Sequence, residues 1–222
     1  MKPRVTPGRD AAPGPTDRRP SVIPGLSADG YAHLMSEPTE SAVVVNVPAA
    51  EQVVGEHRER LDMAASWGVP AHVTVLYPFL PPAQIDAAAL QALSRAVATV
   101  PRFTAAWVRT AWFDRRVLWL APGPAEPFQA LTAAVVREFP EYPPFGGQYD
   151  VVVPHLTVGN GAPLDDLLAA ERLIAPQLPF SMLVTHVQVL AGTRVAGSWR
   201  MLAEFPLGLP RGSQPAAQSG AP

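Results

Sequence analysis

A His-x-Thr pattern occurs twice in this chain, as His72-Val73-Thr74 in AHVTVLYPF and His155-Leu156-Thr157 in VVPHLTVGN. Both copies lie in apolar segments that are typical of strands. Successive side chains of a strand point to opposite faces, so each motif presents an imidazole and a hydroxyl together while its apolar neighbours pack behind them. An imidazole gains or loses a proton near neutral pH. Two imidazoles facing one small site therefore predict acid–base chemistry.

Two other interpretations of the motifs stay open from the residues alone. Either His could be a core residue whose ring is hydrogen-bonded to a neighbouring carbonyl or hydroxyl. The pair could also bind zinc, although a zinc site needs further ligands, no acidic cluster follows either motif, and the chain has no Cys. We therefore expect no metal and no cofactor.

The elements that must position the motifs are strands interleaved with helices. Residues 1–40 and 208–222 are rich in Pro, Gly and polar residues without hydrophobic periodicity, so we expect disordered tails around a folded domain over 41–207. Within this domain, periodicity predicts helices and strands. The predicted strands are 42–48, 72–79, 103–113, 116–121, 152–160, 180–192 and 198–206, and the predicted helices are 49–66, 83–100, 125–139 and 163–176.

Two pairs of predicted strands are adjacent without an intervening helix, 103–113 with 116–121 and 180–192 with 198–206. Such pairs are hairpins, and hairpins are antiparallel. The repeated order of strand, helix and hairpin is typical of split βαβ units, which favours an α+β fold over a doubly wound parallel sheet. We expect a bilobal domain with two similar antiparallel or mixed sheets, helices outside, and a central groove that carries both motifs.

Composition limits the environment and the partners. The 222 residues are 48% hydrophobic and carry a formal net charge of −2. No apolar run approaches the roughly 20 residues that span a bilayer, and the N-terminus lacks the apolar segment of a signal peptide, so we expect a cytoplasmic protein without a membrane partner. The small net charge gives no global attraction to nucleic acid, so any RNA contact must be local.

The segments GVPAHVTVLYPFLPP, VLWLAP and YPPFGGQYDVVVPHLTVGNG resemble the 2H phosphoesterase superfamily, specifically bacterial 2'-5' RNA ligases and RNA 2',3'-cyclic phosphodiesterases. The resemblance covers essentially all of 41–207. It implies a metal-independent phosphoesterase that hydrolyses a 2',3'-cyclic phosphate or a related phosphodiester at an RNA or nucleotide end. The reverse 2'-5' RNA ligase reaction stays open.

The resemblance also implies roles for the motif residues. His155 would be the base that activates water and His72 the acid that protonates the departing oxygen, with the exchanged assignment left open. Thr74 and Thr157 would hydrogen-bond the non-bridging phosphate oxygens and stabilise developing charge. An alternative is a nucleotide or RNA-end binding module that uses the same groove without turnover.

Substrate contacts are inferred from aromatic residues, because RNA ends are commonly held by stacking. Phe113, at a strand end, and Tyr149, in the loop that enters the second motif, are the predicted substrate-binding residues. His186 is a further candidate, whereas His33 and His57 are expected to have no role, the latter as a solvated helix residue. We expect the protein to be a monomer.

Overall fold

A computed structural model describes residues 37–149 and 151–209. The predicted tails therefore lie almost entirely outside the described residues. The strands are β1 (Glu40–Asn46), β2 (His72–Leu76), β3 (Phe103–Phe113), β4 (Val117–Gly123), β5 (Leu156–Asn160), β6 (Phe180–Val184), β7 (His186–Gly192) and β8 (Arg200–Pro206). The helices are α1 (Glu51–Leu61), α2 (Met63–Ser66), α3 (Ala87–Ala98), α4 (Glu126–Glu138) and α5 (Leu164–Ile174). Within the described ranges, no helix has the length and apolar character needed to cross a membrane.

The strands form two four-stranded sheets, which we call sheet 1 (order β2-β1-β7-β8) and sheet 2 (order β5-β4-β3-β6). Every ladder between neighbouring strands is antiparallel. The predicted α+β fold with two antiparallel sheets and two hairpins is thus confirmed. Strand β2 contains the first motif, and β5 begins at the second residue of the second motif. Both are edge strands of their own sheets, and they contact each other.

One hydrophobic core is shared by both sheets. Alternate residues of β1 and β2 and the inward residues of β3, β4 and β5 bury their side chains in it, among them Val45, Val73, Trp107, Leu120 and Leu156. The helices cover this side, with α1 against β5, α4 against β2 and α3 against β8. The opposite face of each sheet, which carries the motif side chains, is called the motif face below.

Three predicted elements differ from the observed ones. The predicted strand 180–192 is two strands, because at Thr185 the chain leaves sheet 2 and enters sheet 1. The predicted helix 49–66 is interrupted at Asp62, whose extended backbone (φ −128°, ψ 108°) ends α1 and whose carboxylate accepts a hydrogen bond from the Ala64 N–H. The predicted strand 152–160 has regular pairing only from Leu156.

The regular structure extends slightly beyond the predicted domain at both ends. Strand β1 begins at Glu40, and Gly208 forms an isolated parallel bridge with Pro101. The hydrogen bond from Gly208 N to Val100 O is 2.9 Å long.

Candidate functional site

Both motif imidazoles are held by the carbonyl of the residue two positions earlier. Nδ1 of His72 lies 2.7 Å from the Pro70 carbonyl, and Nδ1 of His155 lies 2.8 Å from the Val153 carbonyl. A carbonyl oxygen only accepts, so in each ring Nδ1 carries the hydrogen and Nε2 of the neutral ring has a free lone pair. Each His thus has a fixed orientation and one nitrogen left to exchange a proton.

The two threonines lie on the same faces as their imidazoles. Thr74 pairs with Val44 of β1, and Thr157 pairs with Trp119 of β4. Both are half-buried. Within residues 37–149 and 151–209, neither hydroxyl has a hydrogen-bond partner, so both are available to an oxygen of a ligand.

Burial and positive charge disfavour the protonated form of the imidazoles. Burial lowers the pKa of His72 to about 4, together with the positive charges of Arg58 and His155 and against the hydrogen bond to Pro70. Burial also lowers the pKa of His155, opposed by its hydrogen bond to Val153. The strands β2 and β5, which carry the two motifs, contact each other.

An aromatic wall flanks His155. The ring of Phe113 stacks on Trp119 with a centroid distance of 4.7 Å and an interplanar angle of 23°. Both rings contact the imidazole edge-on, Phe113 at 5.0 Å and Trp119 at 5.8 Å between centroids. The structure therefore brings the predicted residue Phe113 to the second motif and adds Trp119, which the sequence analysis did not select.

Tyr149 lies differently from Phe113. Its side chain is 56% exposed and contacts Phe145 edge-on at 5.6 Å between ring centroids. The loop before the second motif, which contains Phe145 and Tyr149, is attached to the residue after β2 by a 2.6 Å hydrogen bond from Phe145 N to Tyr77 O. In the described structure Tyr149 has no ring contact or hydrogen bond with His72 or His155, so its role in substrate binding stays a prediction.

Arg109 is a residue of the motif face that the sequence analysis missed. In β3, Thr110 and Trp112 point to the helix side, where both donate hydrogen bonds to Glu171 of α5. Arg109 shares the opposite parity with Phe113, and it pairs with Ala121 of β4. Its guanidinium is exposed, and among the described residues it has no ion pair. A free cation therefore lies on the same face as the second motif.

The region that contains both motifs also matches a known family. A model of the 2'-5' RNA ligase superfamily matches residues 45–196. The chain belongs to the 2'-5' RNA ligase superfamily. This membership confirms the resemblance to 2H phosphoesterases. None of the curated proteins matches the chain.

Solved structures of two other proteins have the same fold as this chain. Escherichia coli LigT in apo form is 22% identical, with a TM-score of 0.50 over 78% of this chain and 99% of that chain. E. coli LigT complexed with 3'-AMP is 21% identical, with a TM-score of 0.51 over 77% and 99% of the two chains. TT0787 of Thermus thermophilus is 19% identical, with a TM-score of 0.53 over 77% and 98%.

The remaining His residues of this superfamily member lie apart from the motifs. His57, predicted to be solvated, is buried on α1 and lies 3.3 Å from Nη2 of Arg60 through its Nδ1. His186 is exposed at the start of β7, with its Nδ1 2.8 Å from the Thr185 hydroxyl. His33 lies outside the described residues. Across the described ranges, no group of three or more His, Asp or Glu side chains is arranged to hold a metal ion.

Proposed function

We propose that the chain is a metal-independent phosphoesterase that hydrolyses a 2',3'-cyclic phosphate at an RNA or nucleotide end. The observation that carries the proposal is the matched pair of His-x-Thr motifs, in which each imidazole is fixed through Nδ1 and leaves Nε2 free. In-line opening of a cyclic phosphate needs a base on one side of phosphorus and an acid on the other. Superfamily membership supports phosphoester chemistry, and 3'-AMP bound to LigT supports a nucleotide ligand.

The charges around the two rings favour His72 as the base and His155 as the acid. Arg58 disfavours the imidazolium of His72, whereas among the described residues no cation contributes to the lowered pKa of His155. A ring that resists protonation is neutral in the resting enzyme and ready to accept a proton from water. The family resemblance implies the opposite roles, with His155 as the base and His72 as the acid.

The other residues of the site hold the phosphate and its substituent in this proposal. The hydroxyls of Thr74 and Thr157 donate to the non-bridging oxygens and hold phosphorus in line between the two Nε2 atoms. Phe113, which stacks on the buried Trp119, offers an apolar surface beside His155 for the substrate. Arg109 adds positive charge on the same face.

The test of the proposed function is turnover of a substrate panel under exhaustive chelation. Nucleoside 2',3'-cyclic phosphates and oligonucleotides with cyclic-phosphate ends are incubated with the pure protein and EDTA, and the products are separated. Hydrolysis to the nucleoside monophosphate is expected. Binding without turnover of any member would favour the binding module, and activity that needs a divalent ion would overturn the two-His mechanism. Incubating 2',3'-cyclic ends with 5'-hydroxyl ends tests the ligase reaction separately.

The pH dependence of the free enzyme should lie on the acidic side of neutrality. His72 must be neutral as the base, which requires a pH above about 4. His155 must be protonated as the acid, which requires a pH below a pKa that burial lowers from 6.5. The value of kcat/KM should therefore rise as the pH increases through about 4. It should fall as the pH increases further through the pKa of His155, which lies below 6.5. A profile that keeps rising through pH 8 would contradict these protonation states.

Thr74→Val and Thr157→Val should each lower kcat/KM about ten- to a hundredfold, because a hydrogen bond to a charged group contributes about 1.5–3 kcal/mol. Valine keeps the branched shape and removes only the hydroxyl. Competitive inhibition by inorganic phosphate should weaken in both variants. Thr99→Val is the matched control, since the Thr99 hydroxyl donates to the Ala96 carbonyl at the end of α3, away from the site. Unchanged phosphate inhibition would exclude the threonines from phosphate binding.

The limits of the domain, the monomeric state and the cytoplasmic location also stay predictions. A fragment over 37–209 keeps Glu40, which hydrogen-bonds Tyr77 and Arg194, as well as the Gly208 bridge. It is the shortest fragment that we propose for testing whether the remaining residues are dispensable.

A further inference from the structure

A cavity of about 190 Å³ opens on the motif face of sheet 1, beside the strand that pairs with the first motif. Its polar lining includes Asn46 on β1, His186 and Gln188 on β7 and Glu204 on β8, with Thr185 at the junction of β6 and β7. Its apolar lining includes Met182 and Leu183 of β6, in sheet 2. We call this cavity the β8 pocket. None of these residues belongs to the His-x-Thr motifs.

The strand register connects the β8 pocket to the first motif. Asn46 is the direct partner of His72. One continuous row of residues crosses the four strands of sheet 1, and each residue in it is paired with the next. The row is Thr74, Val44, Gln188 and Glu204. Paired residues of an antiparallel ladder point to the same face. With strands spaced roughly 5 Å apart, Gln188 lies about 10 Å and Glu204 about 15 Å from Thr74, a span that a nucleoside phosphate bridges once the hydrogen bonds at both of its ends are included.

Gln188 and Glu204 give the β8 pocket hydrogen-bond acceptors. Gln188 donates from Nε2 to Oε1 of Glu204 over 2.8 Å, which fixes the carboxylate and leaves its Oε2 free. The amide oxygen of Gln188 is also left as an acceptor. The carboxylate disfavours a phosphate here and favours a group with N–H donors. The exposed side chain of Leu183 provides an apolar surface against which a flat ring can pack.

We propose that the β8 pocket binds the base of the terminal nucleoside and prefers guanine. The Watson–Crick edge of guanine has two adjacent donors, N1–H and the N2 amino group, which match Oε2 and the second lone pair of Oε1 on the Glu204 carboxylate. Uracil presents a carbonyl oxygen on each side of its single N–H and is repelled by the same carboxylate. The identification of the ligand as a nucleotide rests on the proposed function.

The test compares guanosine and uridine 2',3'-cyclic phosphates with wild type, Glu204→Gln and Glu59→Gln. Wild type should prefer the guanosine substrate by about tenfold or more in kcat/KM, and Glu204→Gln should bring the ratio close to one, mainly through KM for guanosine. Glu59→Gln makes the same chemical change on an exposed position of α1 and should keep the wild-type ratio. The affinities of 3'-GMP and 3'-UMP, measured by calorimetry, provide a readout that does not depend on turnover.

The outcomes separate the pocket from the proposed reaction. If both cyclic phosphates are hydrolysed and the ratio is near one in wild type, or unchanged in Glu204→Gln, the pocket assignment is wrong and the reaction stands. A guanine preference that appears only with dinucleotides also overturns the assignment to the terminal base. If neither substrate is hydrolysed but 3'-GMP binds more tightly than 3'-UMP and Glu204→Gln removes the difference, the pocket stands and the proposed reaction falls.

Discussion

His72→Ala and His155→Ala should each lower the turnover of a 2',3'-cyclic phosphate by about two or more orders of magnitude, the typical contribution of a positioned acid or base. Both side chains are half-buried at the edge of the core, and alanine removes the ring without adding a buried polar group. The melting temperature and the affinity for a 3'-nucleotide should therefore change much less than turnover. The double variant should be little worse than either single variant, because groups that act as a unit are not additive.

A substrate with a good leaving group separates the acid from the base. A nucleotide p-nitrophenyl phosphodiester needs no proton on its leaving oxygen, so it should restore much of the lost rate in His155→Ala and little in His72→Ala. Recovery of the rate in His72→Ala but not in His155→Ala would instead support His72 as the acid and His155 as the base. His57→Ala, a change on α1 away from the motifs, should keep turnover within a few-fold of wild type. If His72→Ala or His155→Ala unfolds, the interpretation as a core histidine gains instead.

Arg58→Met should lower the free energy of unfolding by about 3–5 kcal/mol, the usual cost of removing one partner of a buried ion pair. Arg58 is 2% exposed and donates from Nη2 to Oδ2 of Asp62 at 2.9 Å and to the Val69 carbonyl at 3.1 Å. Methionine keeps the length of the side chain but leaves the Asp62 carboxylate buried without its cation. Urea unfolding monitored by Trp fluorescence measures the change.

A second substitution serves as the control for the charge. In Arg58→Met/Asp62→Asn the buried charge is gone, and the oxygen of the introduced amide can still accept from the Ala64 N–H, so part of the stability should return. Loss of the Arg58 cation should also raise the pKa of His72 and move the acidic limb of the kcat/KM profile to higher pH. An Arg58→Met variant that is as stable as wild type would mean that the ion pair is exchanged for water at little cost.

The sequence alone was sufficient for most of the fold and for both motifs. Alternating apolar residues around His72 and His155 predict strands whose polar side chains share a face, and both strands form, although β5 begins one residue after His155. Phe113 was predicted from its place at a strand end, and it contacts His155. Such local signals depend only on the period of the strand, so they are readable without knowing which strands become neighbours.

The residues that escaped prediction depend on irregular or long-range features. Arg109 has the same parity as the core residue Trp107, and only the register shift between them puts Arg109 on the motif face. The β8 pocket combines residues of β1, β6, β7 and β8, which are distant in sequence. His57 was predicted to be solvated from its charged neighbours, but the helix surface on which it lies is buried by the tertiary packing.

The crossing at Thr185 connects the two sheets that carry the imidazoles. Strand β6 ends at Val184 in one sheet and β7 begins at His186 in the other, so a single residue joins the two sheets at this side. The contact between β2 and β5 joins them at the motifs, and the shared core fills the space behind. Two connections and a shared core favour movement of the two sheets as one unit. In the proposed reaction, the gap between the two Nε2 atoms would then be set when the chain folds, and a phosphate entering it would lose little binding energy to rearrangement.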